Sequence, residues 1–245
     1  MKASPQMQAR LLDLAVLDTT LAQLAHRLTS LPEHTDIARM EAEETALEEA
    51  VVRTQTEVSD LQREVSKAEA AVQLVRDRAA RDRQRLDAGT GSAKDLQGLQ
   101  HELESLARRQ GVLEDEELEV MERVEAAQEQ EREAREARAA HASRLAELRE
   151  SRDTKSQEIR EEKDRVAGGR EAVTADLSAD LLALYERLRT QLGSGAAPLQ
   201  QRRCGGCRLE INAVDLGRIR GAAPDEVVRC EECGRILVRT AESGL

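Results

Sequence analysis

"DAGTGSAKDL", residues 87–96, separates two long stretches that share one hydrophobic period. Gly89 and Gly91 are two glycines in three residues, enough to stop a helix. Ser92 followed by Asp95 resembles a capping-box start, with the shorter Asp in place of Glu. On the N-terminal side, Ile37, Met40, Glu44, Leu47, Val51, Thr54, Val58, Leu61 and Val65 step by three and four residues, and the seam runs on to Ala79 and Leu86. On the C-terminal side, Leu96, Leu99, Leu103, Leu106, Gln110 and Leu113 do the same, continuing through Val120, Val124, Arg138 and His141 to Leu145 and Leu148, then more weakly to Val166. This is the spacing of a coiled-coil seam. Two such helices joined by a tight turn at residues 88–92 make an antiparallel hairpin, on the order of 110 Å long at 1.5 Å per residue. Folding about residue 91 places Leu86 opposite Leu96, Leu61 opposite Val120 and Glu44 opposite Arg138. The last of these is an opposite-charge pair that sets register more than it adds stability.

Outward from the hairpin, the pattern has two more interruptions. Leu14, Leu17, Leu21, Leu24, Leu28 and Leu31 form a first seam, and Pro32 predicts a kink near 32, because proline suits a first helical turn and not an interior. Gly168 and Gly169 predict a break at 168–169. A shorter amphipathic helix with Val173, Leu177, Leu181, Leu184, Leu188 and Leu192 on one face follows. "GSGAAP", residues 193–198, reads as a linker, extending over 193–201. The expected organisation is thus a helical hairpin over 1–192, the linker, and a small domain over 202–245. The expected fold class is mainly α, a long antiparallel coiled-coil hairpin with a small C-terminal domain of short β-strands.

Composition agrees with this division. The 245 residues are 35% charged, with one Tyr and no Phe or Trp, so the aromatic filling of an ordinary globular core is missing. The abundant Ala, Glu, Leu, Arg and Gln favour long helices. A formal net charge of −11 disfavours broad electrostatic binding to nucleic acid or anionic membrane. No apolar run approaches the ~20 residues of a membrane span, and the acid-interrupted N-terminus does not read as a signal peptide. A cytoplasmic setting is expected, where thiols stay reduced. His26, His34 and His101 are scattered, and His141 reads as a polar residue tolerated in the seam.

All four cysteines lie in "RRCGGCRLEI" (202–211) and "VRCEECGRIL" (228–237). Cys204, Cys207, Cys230 and Cys233 form two C-x2-C pairs, the ligand set of a tetrahedral zinc ribbon. Gly205, Gly206 and Gly234 suit tight knuckles, and short strand-like runs flank them at Leu209 and Ile211, at Val227 and Val228, and at Ile236 to Val238. Four protein thiolates close the site and leave no position for a reacting water, so the expected metal is one structural Zn2+. A domain of about 45 residues without aromatics depends on such a metal to fold. No phosphate-binding loop or nucleophile constellation is present, and no enzymatic activity or small-molecule substrate is expected.

Several stretches together resemble the bacterial C4-type zinc-ribbon coiled-coil proteins: "CEECGRIL" at 230–237, "SLP" at 30–32, "GSAKDLQGLQHEL" at 91–103 and "LEDEELEVME" at 113–122. The resemblance implies a helical hairpin with a C-terminal ribbon, zinc held by the four cysteines, and predicted nucleic-acid binding. Some members serve as chaperones that bind a sigma factor or a messenger RNA. Where members often carry an aromatic residue, this chain has Val238 and Leu96. Two functions follow as expectations. In the first, the ribbon contacts RNA, DNA or a transcription-related protein through Arg202, Arg203, Arg208, Arg218, Arg220 and Arg235, with Lys94 at the hairpin turn as a second contact. In the second, hairpin and ribbon are docking surfaces of a protein–protein adaptor or chaperone. Oligomeric state is left open, because a hairpin satisfies its own seam and still has surface for a second copy.

Overall fold

The computed structural model describes residues 1–245. Helix α1 spans Pro5–Thr29, α2 Pro32–Asp87, α3 Ala93–Ala175 and α4 Ala179–Leu192; strands β1 (Ala196–Gln200) and β2 (Arg203–Cys204), helix α5 (Ala213–Gly221), and strands β3 (Val228–Arg229) and β4 (Ile236–Arg239) complete the chain. No helix is long and apolar enough to cross a membrane. The chain forms two compact units, residues 35–149 and residues 1–34 with 150–245.

The helix boundaries follow local chemistry. Ser4 caps α1 by accepting the Met7 N–H, and Pro5 follows in the first turn. The chain restarts at Pro32, as the sequence predicts. At the hairpin turn, Asp95 Oδ2 accepts from the Ser92 N–H (2.9 Å) and Ser92 Oγ accepts from the Asp95 N–H (3.3 Å), a reciprocal capping box.

In the unit 35–149, α2 and α3 pack antiparallel. Ile37 and Met40 cluster with Leu145 and Leu148, and Val58 and Leu61 with Val124 and Ala127. This register differs from the expected one by about one helical turn. Leu61 meets Val124 where folding about residue 91 places Val120, and Arg138 pairs with Glu48 (3.0 Å) instead of Glu44. The physical reason is that seam residues recur every three or four positions, so a slip of one step again sets seam against seam. Hydrophobic periodicity alone does not choose between the two.

The other unit corrects two boundaries. Gly168 and Gly169 do not break the chain; α3 continues to Ala175, and the turn falls at Asp176–Ser178. Each glycine weakens a helix by only ~1 kcal/mol relative to Ala. Here the helix is anchored by Arg170, whose Nε donates to Asp18 at 2.7 Å. The expected linker is mostly strand: β1 lies inside a four-stranded sheet of order β2-β1-β4-β3, parallel to β4 and antiparallel to β2. Pro198 is tolerated there because β2 pairs only with Leu199 and Gln200.

The sheet has two buried faces. Ala196 of β1 and Ile236 and Val238 of β4 pack against Leu11, Leu14, Leu181, Tyr185 and Leu188 of α1 and α4. The alternate residues Ala197, Leu199 and Leu237 pack against Cys204, Ile211, Ile219 and Cys230. The N-terminus pairs with the segment just before β3, Ala3 N–H donating to Asp225 O (2.7 Å) and Val227 N–H to Met1 O (3.1 Å).

Candidate metal centre

The four cysteine sulfurs converge on one point. All lie within 4.8 Å of one another, with Cys204 and Cys233 Sγ 3.8 Å apart and Cys207 and Cys230 Sγ 3.9 Å apart. Zinc–sulfur bonds of about 2.3 Å in a tetrahedron require sulfur–sulfur edges of about 3.8 Å. The site therefore fits one zinc ion.

Two tight turns hold the sulfurs. Cys204 ends β2 and its sulfur accepts the N–H groups of Gly206 and Cys207; Cys230 follows β3 and accepts those of Glu232 and Cys233. Such N–H···S bonds orient metal thiolates. A Cβ on Gly205 would lie 2.9 Å from Pro198 Cγ, and one on Gly206 2.7 Å from Arg235 Cδ, so the first knuckle sits against β1 with no room for a side chain.

In the thiol form, burial pushes Cys230 up to about 12 and also raises Cys204. Burial pushes Cys233 up too, but the backbone N–H and guanidinium of Arg235 outweigh it and bring that thiol down to about 7. Metal binding must therefore displace protons from the buried pair, and zinc affinity falls as pH falls.

The arginines expected to bind a partner divide sharply. Arg235 donates to the carbonyls of Ser194 (3.1 Å) and Leu192 (2.7 Å), tying the second knuckle to the end of α4. Arg218 pairs with Glu231 and Asp215, Arg203 lies 3.9 Å from Glu210, and Arg202 donates to Gly244 O at 3.3 Å. Two further arginines are likewise engaged: Arg229 with Gly234 O, and Arg239 with the carbonyls of Ala222, Ala223, Pro224 and Glu226. Arg208, Arg220 and Lys94 are exposed and make no side-chain hydrogen bond or ion pair. Lys94 belongs to the other unit.

Sequence reasoning missed α5. The signal was present: Asn212 accepts the Asp215 N–H at 2.9 Å, and its amide donates back to that carboxylate, an N-terminal cap in an Asn-x-x-Asp pattern. It also read Leu209 as a strand residue. Only the isolated bridge between Arg203 and Glu210 forms there, and Leu209 is 52% exposed. Val214, in the first turn of α5, is 82% exposed.

Comparison with known proteins places this architecture among others. The CT398-like coiled coil hairpin domain matches residues 14–193, and the C4-type zinc ribbon domain matches residues 203–237; neither description is of an enzymatic domain. The uncharacterized protein Rv2229c of Mycobacterium tuberculosis is 43% identical over 239 residues, covering 98% of each chain. A solved structure from Mycobacterium smegmatis superposes with a TM-score of 0.78 at 38% identity, over 98% of this chain and 100% of that one. CT398 from Chlamydia trachomatis shares the fold, with a TM-score of 0.58 at 19% identity over 96% of this chain and 98% of its own.

Proposed function

The chain belongs to the family of CT398-like coiled-coil hairpin proteins with a C4-type zinc ribbon, and from that premise we propose that it is a non-enzymatic adaptor whose ribbon docks a protein partner. The observation that carries this reading is that Leu209 and Val214, on either side of the buried Ile211, stand in solvent while most ribbon arginines are held by backbone carbonyls or glutamates. Exposed apolar side chains beside a rigid knuckle suit a protein contact. The zinc centre is structural in this reading: four thiolates fix the knuckles and leave no position for a substrate.

A second reading, nucleic-acid binding, is favoured by one observation, the unpaired guanidinium groups of Arg208 and Arg220. So few free cations neutralise only a few phosphates, so binding would be weak and its salt slope shallow.

One experiment separates the two. Partners are captured from nuclease-treated extract on the zinc-loaded protein, on Leu209→Asp/Val214→Asp, and on Arg208→Ala/Arg220→Ala, with zinc content confirming that each ribbon is folded. The adaptor reading expects a protein that the first variant loses and the second retains. Loss of all capture after nuclease treatment, with salt-dependent RNA or DNA binding that the arginine variant abolishes, would replace it.

A further inference from the structure

Beside the second zinc knuckle, part of a sheet edge is open. β3 is the last strand in the order β2-β1-β4-β3, so one of its sides has no strand of the sheet beside it. In an antiparallel pair, alternate residues turn their N–H and C=O toward the partner strand and away from it. Cys230 N–H donates to Arg235 O at 2.9 Å, and Val228, two residues earlier, pairs with Leu237, so both turn inward to β4. Arg229 lies between them opposite Ile236, whose own N–H donates away from β3, to Gly195 O at 3.0 Å. The N–H and C=O of Arg229 therefore point outward, and neither has a backbone partner in the chain.

The same edge already holds a strand one step away. Lys2 bridges Glu226 in the antiparallel sense, Ala3 N–H bonding to Asp225 O and Met1 O accepting the Val227 N–H. Asp225, Val227 and Arg229 alternate along one side of the chain, the first two covered and the third bare. Arg229 opens into a groove of about 640 Å³, walled by Arg218 and Gly221 of α5 and by Val228 and Glu231. The α5 wall has room, since a Cβ on Gly221 would meet nothing within 4 Å. Val214, 82% exposed, stands on the face of α5 that Arg218 and Gly221 continue, at spacings of four and then three residues. The Arg218–Glu231 ion pair joins the two walls through exposed side chains, and a pair of that kind yields at little cost.

We propose that this groove receives an extended segment of a partner protein, which adds to the outer edge of β3 as a further strand. It exchanges main-chain hydrogen bonds with Arg229 and sets its side chains against the face of α5 that carries Gly221 and Val214. The inference rests on the adaptor reading and gives the partner a chemistry. Main-chain pairing and apolar contact select the segment, and net charge does not, because Arg218 and Arg229 in the groove are balanced by Glu226 and Glu231. Addition of a strand to an exposed edge is a recurrent way of holding a peptide, and Met1 to Ala3 show this edge accepting one. Cys230, the residue after Arg229, is a zinc ligand, so the edge is held in place before a partner arrives.

The test selects phage-displayed random decapeptides on the zinc-loaded, full-length protein and measures their affinity for variants whose zinc content shows a folded ribbon. Arg229→Ala and Arg229→Pro both lose the side chain, and only the second loses the outward N–H; proline is compatible with an edge position of this kind. Selected peptides should bind Arg229→Ala like the parent and Arg229→Pro about tenfold more weakly, as removal of a main-chain hydrogen bond requires. Gly221→Trp, which fills the groove from the α5 side without touching β3, should abolish binding and serves alone if the proline variant does not hold zinc. Hydrogen exchange gives a direct readout: the Arg229 amide exchanges faster than those of Val228 and Cys230 in the free protein and becomes protected with peptide bound. Failure to select any peptide, or peptides that bind Arg229→Pro and Gly221→Trp as well as the parent, overturns the groove. Peptides of the latter kind that Leu209→Asp abolishes leave the adaptor reading standing while the groove falls. The adaptor reading itself fails separately, by loss of all captured protein from nuclease-treated extract.

Discussion

Asp18 carries a carboxylate into the interior of the unit formed by residues 1–34 and 150–245, and its side chain is 2% exposed. It accepts the Tyr185 hydroxyl and Arg170 Nε, each at 2.7 Å, and Arg170 also pairs with Glu186. These bonds join α1, α3 and α4 through polar atoms that tolerate no vacancy. Asp18→Ala would strip Arg170 of one of its two carboxylates and leave a buried phenol unpaired, a loss of about 3–5 kcal/mol, whereas Tyr185→Phe removes one hydrogen bond to a charged group and costs about 1.5–3 kcal/mol. Urea unfolding of the two variants checks the order: Asp18→Ala must be the more damaging. Sequence periodicity found Leu181 and Leu188 of this core but passed over Tyr185, which lies beside that stripe and is fully buried. Its partner Asp18 is an acid on an apolar helix, and one chain read alone gives no sign that it faces inward. Glu33 is a second buried carboxylate. The Lys155 ammonium, hydrogen-bonded to it, holds its carboxyl below the usual range, helped by Ser151. A carboxyl that titrates lower in the folded state stabilises fully above the unfolded pKa, about 4.3 for Glu, and loses that contribution as pH falls through the folded value. Lys155→Met should therefore lower the melting temperature at pH 7, and the gap to the parent should narrow below about pH 4. A gap that stays constant from pH 7 to pH 3 would show that Lys155 acts by packing alone.

At the scale of elements, the helices were legible and their joints only partly so. Heptad spacing reports which face of a helix is buried, so α1, α2 and α3 could be drawn from leucine and valine positions. It does not report register, because the seam repeats at each step, and the slip of Leu61 from Val120 to Val124 is the result. Nor does local composition distinguish a tolerated glycine from a stop. Gly168 and Gly169 sit inside α3. A Cβ on Gly168 would meet nothing within 4 Å, so Gly168→Ala should stabilise the protein by about 0.5–1 kcal/mol. A helix that really broke there would respond in the opposite direction, and a thermal melt decides. The strand β1 was hidden for a different reason. "AAPLQ" has little intrinsic preference for a strand, and it becomes one because β4, forty residues later, supplies a parallel partner. The zinc ligands were fully legible, since two C-x2-C pairs encode their own geometry. The arginines were not, since their sequence says nothing of which carbonyls they reach.

At the scale of the molecule, the ribbon is no appendage of the helices it follows. β1 and β4 present Ala197, Leu199 and Leu237 to the zinc side and Ala196, Ile236 and Val238 to α1 and α4, so one sheet is shared by two cores. Arg235 strengthens the link, bonding the end of α4 two residues after a zinc ligand. A structural C4 site contributes about 10–16 kcal/mol of apparent binding free energy, as large as the whole stability of a typical domain, about 5–15 kcal/mol. Zinc removal should therefore loosen the packing of α1 and α4 along with the knuckles. The unit 35–149 has its own seam and needs no metal. Hydrogen exchange after treatment with a strong chelator, or in Cys230→Ser, reads both units at once. Amides at residues 8–18 and 181–192 should lose protection together with β1 and β4, while those at 58–72 and 113–127 keep theirs. If α1 and α4 stayed fully protected after verified metal loss, the shared sheet would not couple the two cores, and the ribbon would fold as a separate module.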